Sequence, residues 1–223
     1  MQRRNGKKIV FYLFLLILLG SIQNISFDKL EFDTIKKINV SGLSESSNEK
    51  VLKEIKKLNL ENIFFLNGNE INRIIESNTL VESYNVFKKY PFTIDIKLKK
   101  TNFLAKINLN DQLFFIGSNG KLIDNFFLDK DLPYIFGRPE IDEFLKFKKI
   151  IDGSKLSYKN IKSIFYFKSK RWDIKLKNNI LIKLPKNNLM KSLDDAYYFL
   201  DKKNFNSIKI IDTRIENQII INE

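Results

Sequence analysis

The sequence predicts an α+β protein in three parts: a single apolar helix at the N-terminus, a small β-α-α-β-β unit, and a larger strand-rich unit with peripheral helices. Three observations lead there. An apolar run from Ile9 to Ile22 stands directly behind Arg3, Arg4, Lys7 and Lys8. Residues 86 to 100, VFKKYPFTIDIKLKK, alternate apolar and polar side chains after a Tyr-Pro step. Beyond Lys106 the chain is dominated by short β-branched and aromatic segments broken by Asn- and Gly-containing turns.

The apolar run extends to Ile25 if Gln23 and Asn24 sit near an interface, so 9–25 is the expected transmembrane helix and 1–8 a cytoplasmic tail. That is the short end of the roughly 17 to 25 residues a span needs. Basic residues before the run and the mixed FDKLEFD after it place the N-terminus in the cytoplasm and send the bulk across. A cleaved signal peptide has the same basic start. However, Gly20 and Ser21 are adjacent between Leu19 and Ile22, so small residues three and one before a cut are lacking, which favours an uncleaved anchor.

In the next unit, expected over 33–101, Ile35 to Val40 reads as a strand ended by a turn at Gly42. Ser46 with Glu49 forms a capping box before a helix whose Val51, Leu52, Ile55 and Leu58 make one stripe. Asn69 is placed to cap a second helix carrying Ile71, Ile74 and Ile75. VESYNVFKK then gives a strand with Tyr84, Val86 and Tyr90 toward one face, and Tyr90-Pro91 turns the chain into a third strand. There Phe92, Ile94, Ile96 and Leu98 face one way and Thr93, Asp95, Lys97 and Lys99 the other. A three-stranded sheet covered on one side by two helices accounts for this pattern.

The third unit, expected over 105–223, opens with a hairpin turning at Ser118-Asn119-Gly120. DLPYIFGRP, with Pro133 and Gly137, reads as a loop leading into the helix EIDEFLKFKKII. The strands IKSIFYF, WDIKLKNNILIKL and SIKIIDTRIENQIII follow, interrupted by a helix from Leu189 to Leu200.

Composition excludes several chemistries. The chain has no cysteine and no histidine, which removes disulfides, thiolate nucleophiles, Cys/His zinc sites and every Ser-His or Cys-His pair. No Ser-x-x-Lys precedes a suitable apolar helix, and Asp194 and Asp195, adjacent on a helix, point about 100° apart rather than at one ligand. No catalytic residue, cofactor or metal is expected. The net charge of +13 comes from lysines scattered along the sequence, which argues for a solvated surface rather than a nucleic-acid site. Trp172 beside Arg171 reads as a core residue entering a strand.

Taken in order, several pieces resemble the FtsQ/DivIB family of bacterial cell-division proteins: INVSG at 38–42 with Val40 and Gly42, NIFFL at 62–66, and KKYPFTIDIKL at 88–98 with Tyr90 and Pro91. GSNG at 117–120, LPYIFG at 132–137, RWDIKLKNNILIKL at 171–184 and IIDTRIENQIII at 210–221 continue the series. The chain departs from the family pattern at Lys88 or Lys89, Lys100, Phe103 and Gly117. The resemblance implies a membrane-proximal POTRA domain followed by a strand-rich domain, in a non-enzymatic, single-span protein of the inner membrane and division septum. It implies FtsB- and FtsL-like partners bound by strand addition at the C-terminal strand, with other division proteins met through the POTRA-like domain. Carried over by motif, the contact stretch is Arg214, Ile215, Glu216, Asn217, Gln218, Ile219 and Ile220. The alternative is a signal-cleaved periplasmic POTRA-type module that docks or chaperones exported chains.

Overall fold

A computed structural model of the chain describes residues 4–22, 34–58, 60, 63–64, 66–124, 131–202, 208–216 and 218–222. The first element is a helix, α1 (Arg4–Ile22). Every large hydrophobic side chain on it from Ile9 to Leu19 is solvent-exposed. Among the described residues no helix is long and apolar enough to cross a membrane. Lys7 and Lys8 occupy part of the 19 residues of α1, and residues 23–25, which the expected span included, lie outside the described residues.

A three-stranded sheet follows. Its strands are β1 (Lys37–Ser41), β2 (Val81–Lys89) and β3 (Thr93–Lys100), in the order β1-β3-β2, and helices α2 (Glu45–Lys56) and α3 (Asn69–Ser77) cover one face. β3 lies parallel to β1 and antiparallel to β2. The period-two pattern of β3 is realised: Ile94, Ile96 and Leu98 are buried with Val51, Ile55, Ile71 and Ile75 of the helices. The chain turns at Tyr90–Phe92, as expected, through a cis Tyr90–Pro91 bond. Tyr90 itself lies past the strand end and is exposed, so of its expected row Tyr84 and Val86 face the helices, and Val81, before the bulge, is buried in the same core. Gly42 closes β1 at φ +113°, and a Cβ there would stand 1.7 Å from the Leu98 carbonyl oxygen, so only glycine is accommodated.

Both helix starts differ from the expected caps. The N-cap of α2 is Ser44 rather than Ser46, and its side chain bonds Ser47 Oγ instead of the helix backbone. Asn48 holds the entry instead, accepting from the Leu43 amide at 3.1 Å. The N-cap of α3 is Gly68, and Asn67 Oδ1 accepts from the Asn69 amide.

Among the described residues beyond Thr101, nine strands build one sheet. Its strands are β4 (Phe103–Leu109), β5 (Gln112–Gly117), β6 (Leu122–Ile123), β7 (Tyr134–Phe136), β8 (Ile161–Tyr166), β9 (Trp172–Leu176), β10 (Leu181–Lys183), β11 (Ile210–Asp212) and β12 (Ile220–Asn222). They run β12-β11-β10-β9-β8-β7-β4-β5-β6 across the sheet. Helices α4 (Ile141–Gly153) and α5 (Leu189–Lys202) supply Phe144, Phe147, Ile151, Leu193 and Ala196 to its core. Trp172 belongs there too, 5% exposed and stacked on Phe147 at 4.5 Å.

The expected loop at 131–139 is corrected in its centre. Tyr134–Phe136 is strand β7, parallel to both β4 and β8, with the Lys106 backbone N–H donating to the Pro133 carbonyl at 2.9 Å. Three residues are too few to show a period, and their pairing comes entirely from distant segments. Gly137, at φ +98° and packed on the Tyr166 carbonyl, ends the strand.

The two sheets meet through polar contacts. Ser118 and Thr101 hydroxyls donate to Glu82 Oε2 at 2.6 and 2.9 Å, and Asn119 Nδ2 donates to the carbonyls of Thr79 and Val81 at 2.9 and 2.8 Å. Lys121 donates to the carbonyls of Glu76 and Asn78. The Ser118–Gly120 turn is thus both a hairpin turn and the clasp between the sheets, with Phe103, Phe115 and Ile123 packed beneath it against Leu80 and Leu132.

Candidate functional site: the free edge of the large sheet

β12 is the outermost strand, and among the described residues it pairs only with β11, leaving one edge of its backbone without a strand neighbour. The strand expected over Arg214 to Ile221 is shorter than its β propensity suggested. Residues 213–216, 218 and 219 lie outside any strand, and of the described residues beyond Asp212 only 220–222 are extended. Side-chain and backbone bonds fix the turn. Thr213 bonds the Lys183 carbonyl through both N–H and Oγ, and Gln218 N–H donates to the Ile215 carbonyl at 3.2 Å. Arg214 folds back on Asp212, its Nε at 2.8 and 3.0 Å from the two carboxylate oxygens.

Of the residues carried over as contacts, Arg214, Ile215, Glu216, Gln218 and Ile219 therefore sit on the turn and only Ile220 lies on the edge strand; Asn217 lies outside the described residues. Ile215 and Ile220 are about half exposed, while Ile219 packs against the core. The hydrogen bonds from Arg214 hold the Asp212 carboxyl below the usual carboxylate range. In the same row, beyond Lys183, Asp173 is almost fully buried, and burial pushes its carboxyl upward against the pull of Arg171 and the Leu184 amide.

A cleft of about 570 Å³ opens beside the turn, between it and the first turn of α5, lined by Lys186, Asn188, Lys191, Asp195, Arg214, Glu216 and Ile219 among others. Asp195 thus faces this cleft, whereas Asp194 accepts from the Lys155 amide at 2.8 Å. Among the described residues no group of three or more His, Cys, Asp or Glu is placed to hold a metal ion.

One feature of the edge is not visible in any single segment. The strand register aligns Ile107, Ile135, Ile164, Ile174, Ile182, Ile211 and Ile221 in one row across seven strands. The first six are 0 or 1% exposed, and Ile221, on the edge, is 39% exposed. The apolar layer under the helices therefore runs out to the free edge and stops there half-covered.

Residues 34–100 match the model of the POTRA domain, FtsQ-type, and residues 105–214 that of the C-terminal region of cell division protein FtsQ/DivIB. The chain belongs to the FtsQ/DivIB family of cell-division proteins. Among FtsQ/DivIB proteins it is similar to FtsQ of Rhizobium meliloti, at 24% identity over 84% of this chain, and to FtsQ of Rickettsia bellii, at 26% over the same share. DivIB of Clostridium acetobutylicum is 31% identical over 43% of this chain. The alignments cover 62%, 71% and 39% of those three proteins, so the chain spans less than two thirds of the first. The FtsQ/DivIB C-terminal match ends at residue 214, short of β12.

Proposed function

We propose that the chain is a bitopic inner-membrane scaffold of the divisome. In this reading it binds FtsB- and FtsL-type partners by strand addition at β12 and links early and late division proteins to control septal peptidoglycan synthesis. The free edge of β12 carries the proposal. An unpaired edge offers N–H and C=O groups to an incoming strand, and side chains on alternate faces supply selectivity. β12 covers only three residues, so its main-chain bonds are few and the half-covered Ile221 and the neighbouring cleft are needed to add contact area. The scaffold is not an enzyme. Its POTRA-type unit meets other division proteins, and the apolar stretch 9–25 is the single span, with its N-terminus in the cytoplasm and the bulk periplasmic.

The test is truncation after Thr213, which removes the turn and β12 and leaves β10–β11 pairing in place. Affinity for the purified extracytoplasmic segment of the cognate FtsB-type protein is expected to be lost, while far-UV circular dichroism and membrane association are kept. Affinity retained by the truncated chain would exclude strand addition at this edge.

A further inference from the structure

Four lysines that look scattered along the sequence come together in the fold. Strand register puts Lys37 of β1, Lys97 and Lys99 of β3 and Lys89 of β2 on the face of the three-stranded sheet turned away from α2 and α3. Asp95 is the one acid in those rows, and it is taken up by an ion pair with Lys89 and a hydrogen bond from Asn39 at 2.6 Å. The glutamates of α2 and α3 lie across the sheet, and Glu82 is turned into the clasp with Thr101 and Ser118. Lys97 and Lys99 are thus left on the face without an acidic partner in the strand rows, and Lys37 shares Asp95, which Lys89 already pairs. Phe87 stands among them, 45% exposed, with the Lys97 ammonium 5.6 Å from its ring centroid.

From this we infer that the solvent face of the three-stranded sheet docks on a bilayer bearing anionic lipid. A small anion is held by convergent groups in a concave site, and neither described cleft lies on this face. A flat array of point charges with an amphipathic aromatic is suited instead to an extended anionic surface, where each lysine adds Coulomb attraction and the aromatic settles at headgroup level. The connection from Ile22 to Lys37 limits how far the sheet can stand from α1, to about 50 Å when fully stretched. The inference rests on the reading of α1 as an anchor for that proximity alone.

The experiment uses the full chain, which has no cysteine, so Asn85→Cys on the same face takes a single fluorophore. The labelled protein is reconstituted into phosphatidylcholine vesicles with or without phosphatidylglycerol, both carrying a headgroup quencher. Quenching is expected only with phosphatidylglycerol and should fade as salt is raised. Replacing Lys37, Lys97 and Lys99 together by glutamine should weaken docking roughly a hundredfold, about fivefold per lysine. Arginine at the same three positions should preserve it, as should K50Q/K53Q/K56Q on α2, which removes the same charge from the opposite side. Equal quenching in both vesicles, no quenching with phosphatidylglycerol, or an α2 variant as impaired as the sheet variant would overturn the inference. Release of the chain from phosphatidylcholine vesicles by alkaline carbonate would refute the anchor instead, and docking would then be judged by quenching of the unanchored chain on the anionic vesicles.

Discussion

The isoleucine row makes a quantitative prediction about the edge. If a partner strand pairs with β12, the residue opposite Ile221 continues the row and covers what is now exposed. Fully burying an isoleucine contributes about 1.5–3 kcal/mol, and the 39% of Ile221 still open to solvent therefore corresponds to about 0.6–1.2 kcal/mol on binding. Ile221→Ala should accordingly raise Kd for the FtsB-type segment about three- to eightfold. Ile220 pairs with Asp212 on the other face and does not belong to the row, so Ile220→Ala is the matched control and should change Kd less. Isothermal titration calorimetry of both variants measures the difference. Urea unfolding of each free protein shows whether β12 is retained, since a lost edge strand would weaken binding through either residue. An Ile221→Ala variant that unfolds like the parent and binds with unchanged Kd would refute the idea that the row dictates pairing, as would a larger effect from Ile220→Ala.

Other expectations follow from the backbone, the clasp and the turn. Gly42→Ala forces a Cβ against the Leu98 carbonyl at a positive φ and should destabilise the small sheet by about 2 kcal/mol or more, read as an early urea transition; a loss under about 0.5 kcal/mol would contradict the close approach. Asn119→Ala removes both side-chain donors that join the Thr79 and Val81 carbonyls to the second sheet, at a cost of about 2 kcal/mol, and should raise amide exchange at residues 79–82 before it does so in β8 or β9. Asp212 has a folded pKa below its unfolded value. The stability it adds is complete above the unfolded carboxylate pKa of about 4 and is lost as pH falls through the folded one. Arg214→Gln should therefore flatten the acid limb of a denaturant-midpoint profile, and an unaltered limb would show that the pair contributes nothing there.

The sequence alone determined what depends on neighbours along the chain. Alternation in 93–98 specified a one-sided strand, Tyr90-Pro91 and Ser118-Asn119-Gly120 specified turns, and the 3.6-residue spacing of Val51, Ile55, Ile71 and Ile75 specified which helical faces are buried. The order of short motifs specified the family. These signals are legible because side-chain direction repeats every two residues in a strand and about every four in a helix, wherever the segment ends up.

Tertiary structure decided what depends on partners far away in sequence. Tyr134–Phe136 is a strand only because β4 and β8 lie on either side of it, and the final β-prone run is cut to three residues because Arg214 bonds back to Asp212 and Thr213 to Lys183. Ile107 and Ile221 share a row, and Lys37 shares a face with Lys99, only once register is fixed. Register is a property of pairs of strands: a slip of one residue would turn every side chain of a strand to the other face while leaving its local sequence unchanged.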